Sequence, residues 1–124
     1  MSIQRSEFTL TATSVLGVVT PSAVRALPKG ADLAGVQVNV SSTAYNGGTI
    51  QPVLEGSNNA TDFVAAVEGT GTAFGADGFE MLGAADQVLP LGQFLSVRLS
   101  FIIAGGPPDD GTVVAVVKMD YETG

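Results

Sequence analysis

The feature that most constrains this chain is a strict alternation of apolar and polar residues, which recurs in three separate stretches. A side-chain period of two is the geometry of a β-strand, because successive Cβ atoms leave opposite faces of the pleat. Phe8, Leu10 and Ala12 alternate with Thr9, Thr11 and Thr13. Val36, Val38 and Val40 alternate with Gln37, Asn39 and Ser41, and Leu95, Val97, Leu99 and Phe101 with Ser96, Arg98 and Ser100. Each stretch reads as a strand with one buried and one polar face. Residues 112–121 differ in kind. Ala115, Val117, Met119 and Tyr121 line one side, while Val114 and Val116 make the other side apolar too. A strand apolar on both faces is covered on both, either inside the fold or by a partner. Val114 and Val116 are therefore candidate interface residues.

The remaining segments carry the same pattern less cleanly. Residues 49–55 hold Ile50, Val53 and Leu54, with Pro52 pointing to a sheet edge or a bulge. Residues 63–67 read as a strand or a helical turn, and 73–82 and 87–91 as shorter strands. Residues 15–27, bracketed by Pro21 and Pro28, wander or form an edge. Turn-formers separate these segments: Asn46-Gly47-Gly48, Gly56-Ser57-Asn58-Asn59, Gly105-Gly106-Pro107-Pro108 and Asp109-Asp110-Gly111. No segment carries a long apolar stripe at helical spacing. Short strands punctuated about every ten residues predict an all-β chain, an antiparallel β-sandwich of roughly eight strands. With no internal repeat, charge block or low-complexity linker, residues 1–124 are expected to form one domain.

Composition then narrows function. The 124 residues include no Cys, His or Trp, which removes thiolate chemistry, the commonest general base and metal ligand, and the preferred platform for stacking a sugar. A net charge of −7 repels phosphate backbones and anionic lipid, so neither nucleic acid nor a membrane surface is expected as a partner. Only 14% of residues are charged, against about 25% in an ordinary globular domain, and the mean hydropathy is +0.36. No apolar run reaches the length of a membrane helix, and Met-Ser-Ile-Gln-Arg-Ser-Glu-Phe has no hydrophobic signal core. The apolar excess is then expected to reside in the core and in surface covered by another subunit, with a homotrimer as the expected assembly.

Candidate chemical sites are sparse. Asp62, Glu68, Asp77, Glu80, Asp109 and Asp110 could supply a hydrolytic carboxylate pair only if two of them met in a cleft, and nothing in their spacing places them together. The Asp109-Asp110-Gly111 and Asn58-Asn59-Ala60-Thr61-Asp62 stretches could offer oxygen ligands to calcium, but they lack EF-hand spacing and serve equally as self-capping turns. Gly69-Thr70-Gly71-Thr72 lacks the lysine and the helix of a phosphate loop. Tyr45, beside Asn46-Gly47-Gly48, is expected on a loop tip where it could touch a ligand or partner. No catalytic residue, metal or cofactor is expected.

Three stretches in order carry a family resemblance. Leu27-Pro28-Lys29-Gly30-Ala31 leads into Ala34-Gly35-Val36-Gln37-Val38-Asn39-Val40. Thr49-Ile50-Gln51-Pro52-Val53-Leu54-Glu55-Gly56-Ser57 follows a Gly-rich turn, and Gln87-Val88-Leu89-Pro90-Leu91-Gly92-Gln93-Phe94-Leu95-Ser96-Val97-Arg98-Leu99-Ser100-Phe101 comes near the end. This order of strand, extended strand with a Glu-Ser-like turn, and Pro-Leu turn before a Leu-Arg-Leu-like strand resembles small head-decoration and minor structural proteins of tailed bacteriophages. Members often carry Trp shortly after the second stretch, where this chain has Phe63. The resemblance implies a jelly-roll-like sandwich that decorates or cements the outer capsid surface, made in the host bacterial cytoplasm, with the major capsid protein and its own copies as partners. The alternative from another class is a receptor- or carbohydrate-binding module of a phage fibre or a bacterial surface protein.

Overall fold

The computed structural model describes residues 2–83 and 86–123, so Met1 and Gly124, the ends of the expected domain, lie outside the described residues. Ten strands follow one another: β1 (Ser2–Val15), β2 (Val18–Thr20), β3 (Arg25–Ala26), β4 (Leu33–Ser41), β5 (Thr49–Ser57), β6 (Val64–Thr70), β7 (Gly78–Met81), β8 (Leu89–Pro90), β9 (Ser96–Ala104) and β10 (Thr112–Thr123). Every pairing among them is antiparallel. One sheet runs β2-β1-β10-β4-β7, with β8 also paired to β4; the other runs β3-β9-β5-β6. Without the short β2 and β8, the two four-strand orders are those of a doubly wrapped Greek key. The chain is an antiparallel β-sandwich with jelly-roll topology.

The alternation in the sequence is what closes the sandwich. Phe8, Leu10 and Ala12 of β1, Val36, Val38 and Val40 of β4, and Val113, Ala115, Val117 and Met119 of β10 are buried from the larger sheet. Ile50 and Leu54 of β5 and Val97, Leu99 and Phe101 of β9 meet them from the smaller one. Each such aliphatic side chain contributes about 1.5–3 kcal/mol on burial. The outward partners are Thr9, Thr11 and Thr13 on β1 and Gln37, Asn39 and Ser41 on β4. One residue breaks the expected rhythm. Leu95 was expected on the inward face, but β9 starts at Ser96 and Leu95 is 68% exposed. Its N–H is held by Asn58 Oδ1 at 2.9 Å, and its carbonyl accepts from Leu27 N–H at 2.8 Å, so it ends a loop.

The ambiguous segments resolve through their hydrogen bonds. Pro52 marks an irregularity and not an edge, since β5 has β9 on one side and β6 on the other. Its ring lies where the β6 ladder gives way, at the register shift between Val53 and Glu55. Residues 15–27 form two edge strands, and the stretch between them is tied to β9 by Ser22. Ser22 N–H donates to Leu99 O and Leu99 N–H donates to Ser22 Oγ, both at 2.8 Å. Residues 64–70 are a strand, bulged and carrying Glu68 at a φ of 61°.

Candidate interaction surface

The outward face of the larger sheet follows from register alone. Opposite Thr9 and Thr11 on β1 stand Val116 and Val114 on β10, which in turn oppose Gln37 and Asn39 on β4. Asn39 and Gln37 oppose Phe79 and Met81 on β7. Val114 and Val116 are thus half-buried on the outside of the sandwich, between threonines on one side and amides on the other. One bond joins the amides, Gln37 Nε2 donating to Asn39 Oδ1 at 3.1 Å. Apolar groups flank this polar centre: Phe79 is 70% exposed at the β7 margin, and Val15 and Val18 are 60% and 70% exposed at the β2 margin.

At one end of that face the character changes. Glu7 and Lys118 oppose each other in register, and beyond them Arg5 Nε donates to Asp120 Oδ1 at 2.9 Å in the open. The hydrogen bond and charge of that pair hold Asp120 below, and Arg5 above, their usual ranges. Because Gly35 has no side chain and open space above it, the sheet sinks here into a shallow groove of about 870 Å³ lined by Ile3, Leu33, Lys118 and Tyr121 among others. A smaller groove of about 330 Å³ lies beside Phe94, with Asn58, Asn59 and Asp62 on its wall. Those polar groups are engaged in the turn. Asn59 Oδ1 accepts from Thr61 and Asp62 N–H, Asn59 Nδ2 donates to Asp62 Oδ2, and Asn58 Oδ1 holds Leu95.

Tyr45 is placed differently from a loop tip. It is half-buried against the core, and its hydroxyl donates to Asp77 Oδ1 at 2.9 Å. Burial first, then that hydrogen bond and the Asp77 charge, push the phenol up to about 12. Ser42 N–H donates to the same Asp77 oxygen at 3.1 Å, and Asn46 Nδ2 donates to Pro107 O and Asp109 Oδ1. Tyr45 therefore helps lock the β4–β5 loop to the turn before β7, and Asn46 locks it to the β9–β10 loop. The carboxylates go separate ways: Glu80 caps Thr72, Asp62 closes its own turn, and Asp77 and Asp109 brace the Tyr45 network. Among the described residues, no three His, Cys, Asp or Glu side chains are grouped to hold a metal. Sequence reasoning missed one feature of the smaller sheet. Arg98 donates to Glu55 at 2.8 Å while its guanidinium lies 4.1 Å over the Phe63 ring.

No family model and no curated relative matches the sequence. Solved structures match the fold. The SPBc2 prophage-derived protein YomS superposes with a TM-score of 0.54 at 9% identity, over 95% of this chain and 96% of that one. Infectious bursal disease virus Gx strain gives 0.56 at 12% identity over 99% of this chain, and the VP2 subviral particle of the same virus gives 0.54 at 9% over 97%. The chain spans 33% of each of those two virus chains but nearly the whole of the prophage-derived protein. At these identities the likeness is one of fold.

Proposed function

We propose that this protein is a structural component of a tailed-phage particle, one β-sandwich domain that decorates or cements the outer surface of the capsid. Its partners in this reading are the major capsid protein and its own copies, and it is made in the host bacterial cytoplasm. The observation that carries the proposal is the broad outer face, free of net charge, of a jelly roll that matches a prophage-derived protein over 95% of its length. The mechanism is passive. Threonine, amide and valine groups on β1, β10 and β4 bring no net charge to desolvate and can bond across a contact, and identical contacts repeated over a lattice sum to firm attachment. With five basic residues in all, ionic anchors are few, and exposed ion pairs contribute little.

The test is the protein content of purified particles. Quantitative mass spectrometry is expected to find this chain at a copy number close to that of the coat protein, retained after a wash in about 1 M NaCl, where screening reaches roughly 3 Å. Abundance in infected cells with absence from particles would refute the proposal. Release by moderate salt would refute the apolar mechanism and point to a basic dock on the shell.

A further inference from the structure

We infer that the outer face of the β2-β1-β10-β4-β7 sheet is covered by the same face of a second copy of this chain. The argument starts with where the charge lies. From the Glu7–Gly35 row to the β1–β2 hairpin, this face carries one anion and one cation, Glu7 and Lys118, opposed in register. Removing that pair from twelve acidic and five basic residues leaves eleven and four, so the whole net charge of −7 lies elsewhere on the molecule. Two identical anions repel over most orientations. They approach at low cost through a broad surface that bears none of the excess.

Shape and chemistry agree. The opposite sheet is poorly suited to flat pairing, since its β6 edge is bulged and its outer surface carries the Arg98–Glu55–Phe63 stack. On the larger sheet, pairing over β1, β10 and β4 is unbroken through eight consecutive rows, Ala34–Met119 to Ser41–Thr112. The Gln37–Asn39 bond pairs one donor with one acceptor of the two amides, whose remaining groups and the threonine hydroxyls can bond across a two-fold, and Phe79 and Met81 at one margin and Val15 and Val18 at the other supply the apolar rim. Five strands about 4.8 Å apart, three of them offering about 24 Å of length and the short β2 and β7 about 10 and 14 Å, present about 460 Å² per copy. That puts the pair near the lower limit of specific interfaces, about 1,000 Å² in total. Sheets stacked in this way sit about 10 Å apart at a shallow angle, and one patch meeting itself closes as a dimer. A two-fold pair thus replaces the trimer expected from composition. The inference deepens the proposed role by naming what covers this face, but it concerns the isolated chain.

Sedimentation of the purified protein tests it. The wild type is expected to pass from monomer to dimer between about 1 μM and 1 mM. Thr11→Arg changes an exposed threonine and should preserve the fold, as circular dichroism will check. It places two added charges in the interface and should weaken association at least about 100-fold. Val116→Asp should act in the same direction. Ile102→Arg, exposed on the other sheet, should leave association unchanged. A wild type monomeric at about 1 mM, or association lost in Ile102→Arg and kept in Thr11→Arg, would overturn the inference. A chain that dimerises through this face yet is absent from particles keeps the inference and loses the proposed function; one found on particles but monomeric does the reverse.

Discussion

Gly48→Ala isolates the packing of the two glycine pairs that join the loops around Tyr45. A Cβ at Gly48 would lie 1.7 Å from Gly106 O, 2.9 Å from Gly106 C and 3.0 Å from Ala104 O, all of them backbone atoms that cannot rotate away. The φ of Gly48 is not in the left-handed region, so the cost is steric and not conformational. Relief requires the β4–β5 and β9–β10 loops to part by about 1.5 Å, which would stretch the Asn46–Pro107 and Asn46–Asp109 bonds of 3.0 and 3.2 Å. Overpacking of this kind costs about 1–3 kcal/mol, and rigid neighbours put it at the upper end. With an unfolding entropy of about 2.1 cal/mol/K per residue, a loss of about 3 kcal/mol lowers Tm by about 10 °C in a chain of 124 residues. The matched control is Gly35→Ala, where an added Cβ meets nothing within 4 Å and φ is ordinary. Restricting the unfolded chain should there be neutral or add about 0.4–1 kcal/mol. Urea titration and thermal melts of the two variants measure both. Gly48→Ala within about 0.5 kcal/mol of wild type would refute the loop-to-loop packing.

Two buried serines should respond with opposite signs: Ser22→Ala strands the Leu99 N–H and costs about 1–3 kcal/mol, whereas Ser14 Oγ has no partner among the described residues and Ser14→Ala should be neutral or stabilising by urea titration. Tyr45, with its folded pKa pushed up to about 12 from the ordinary phenol value near 10, holds its proton more tightly in the native state. Its contribution is therefore complete below pH 10 and is lost as pH rises through 12; in a Tyr121→Phe background, ultraviolet titration should place its phenolate near pH 12, and Tyr45→Phe should flatten the alkaline loss of stability. Self-association should strengthen between about 0.05 M and 1 M NaCl, because screening removes repulsion between the two −7 bodies while the joined face holds none of that charge; weakening in salt by sedimentation would contradict this.

The strands were legible where one face is buried and the other wet, as at Phe8-Leu10-Ala12 and Val36-Val38-Val40, because burial on one side imposes a period of two. The same rule misplaced Leu95. Apolar parity continues one residue past the point where Asn58 takes over its N–H, and a side chain 37 residues away leaves no local trace. Pro52 announced a defect in a ladder but not which strand would carry it. The bulge falls in β6, whose apolar residues lose their alternation for that reason. Tyr45 read as a tip residue because Asn46-Gly47-Gly48 follows it. Its hydroxyl is held by Asp77, brought in from a distant turn, while its neighbour Asn46 is held by Asp109. Val114 and Val116 stood out because β10 is apolar on both sides, and register then places both on the outward face.

That outward face has a further property, set by which strands build it. β1 and β10 pair over twelve rows, from Ser2–Thr123 to Thr13–Thr112, at the centre of the sheet, and β4 completes the face by pairing with β10. Every row joins residues on the order of a hundred positions apart. Closing such loops costs entropy before any contact repays it, so a fold of this kind is expected to form in milliseconds to seconds. The Thr9–Val116–Gln37 row exists only once the first and last strands have met. A chain with only β4–β9 folded can have part of a core but lacks the β1–β10 surface free of net charge, so it offers a second copy nothing to match. Pairing through this face is thereby coupled to completion of the sandwich, and the same β10 valines that made the sequence look over-apolar report that the fold is finished.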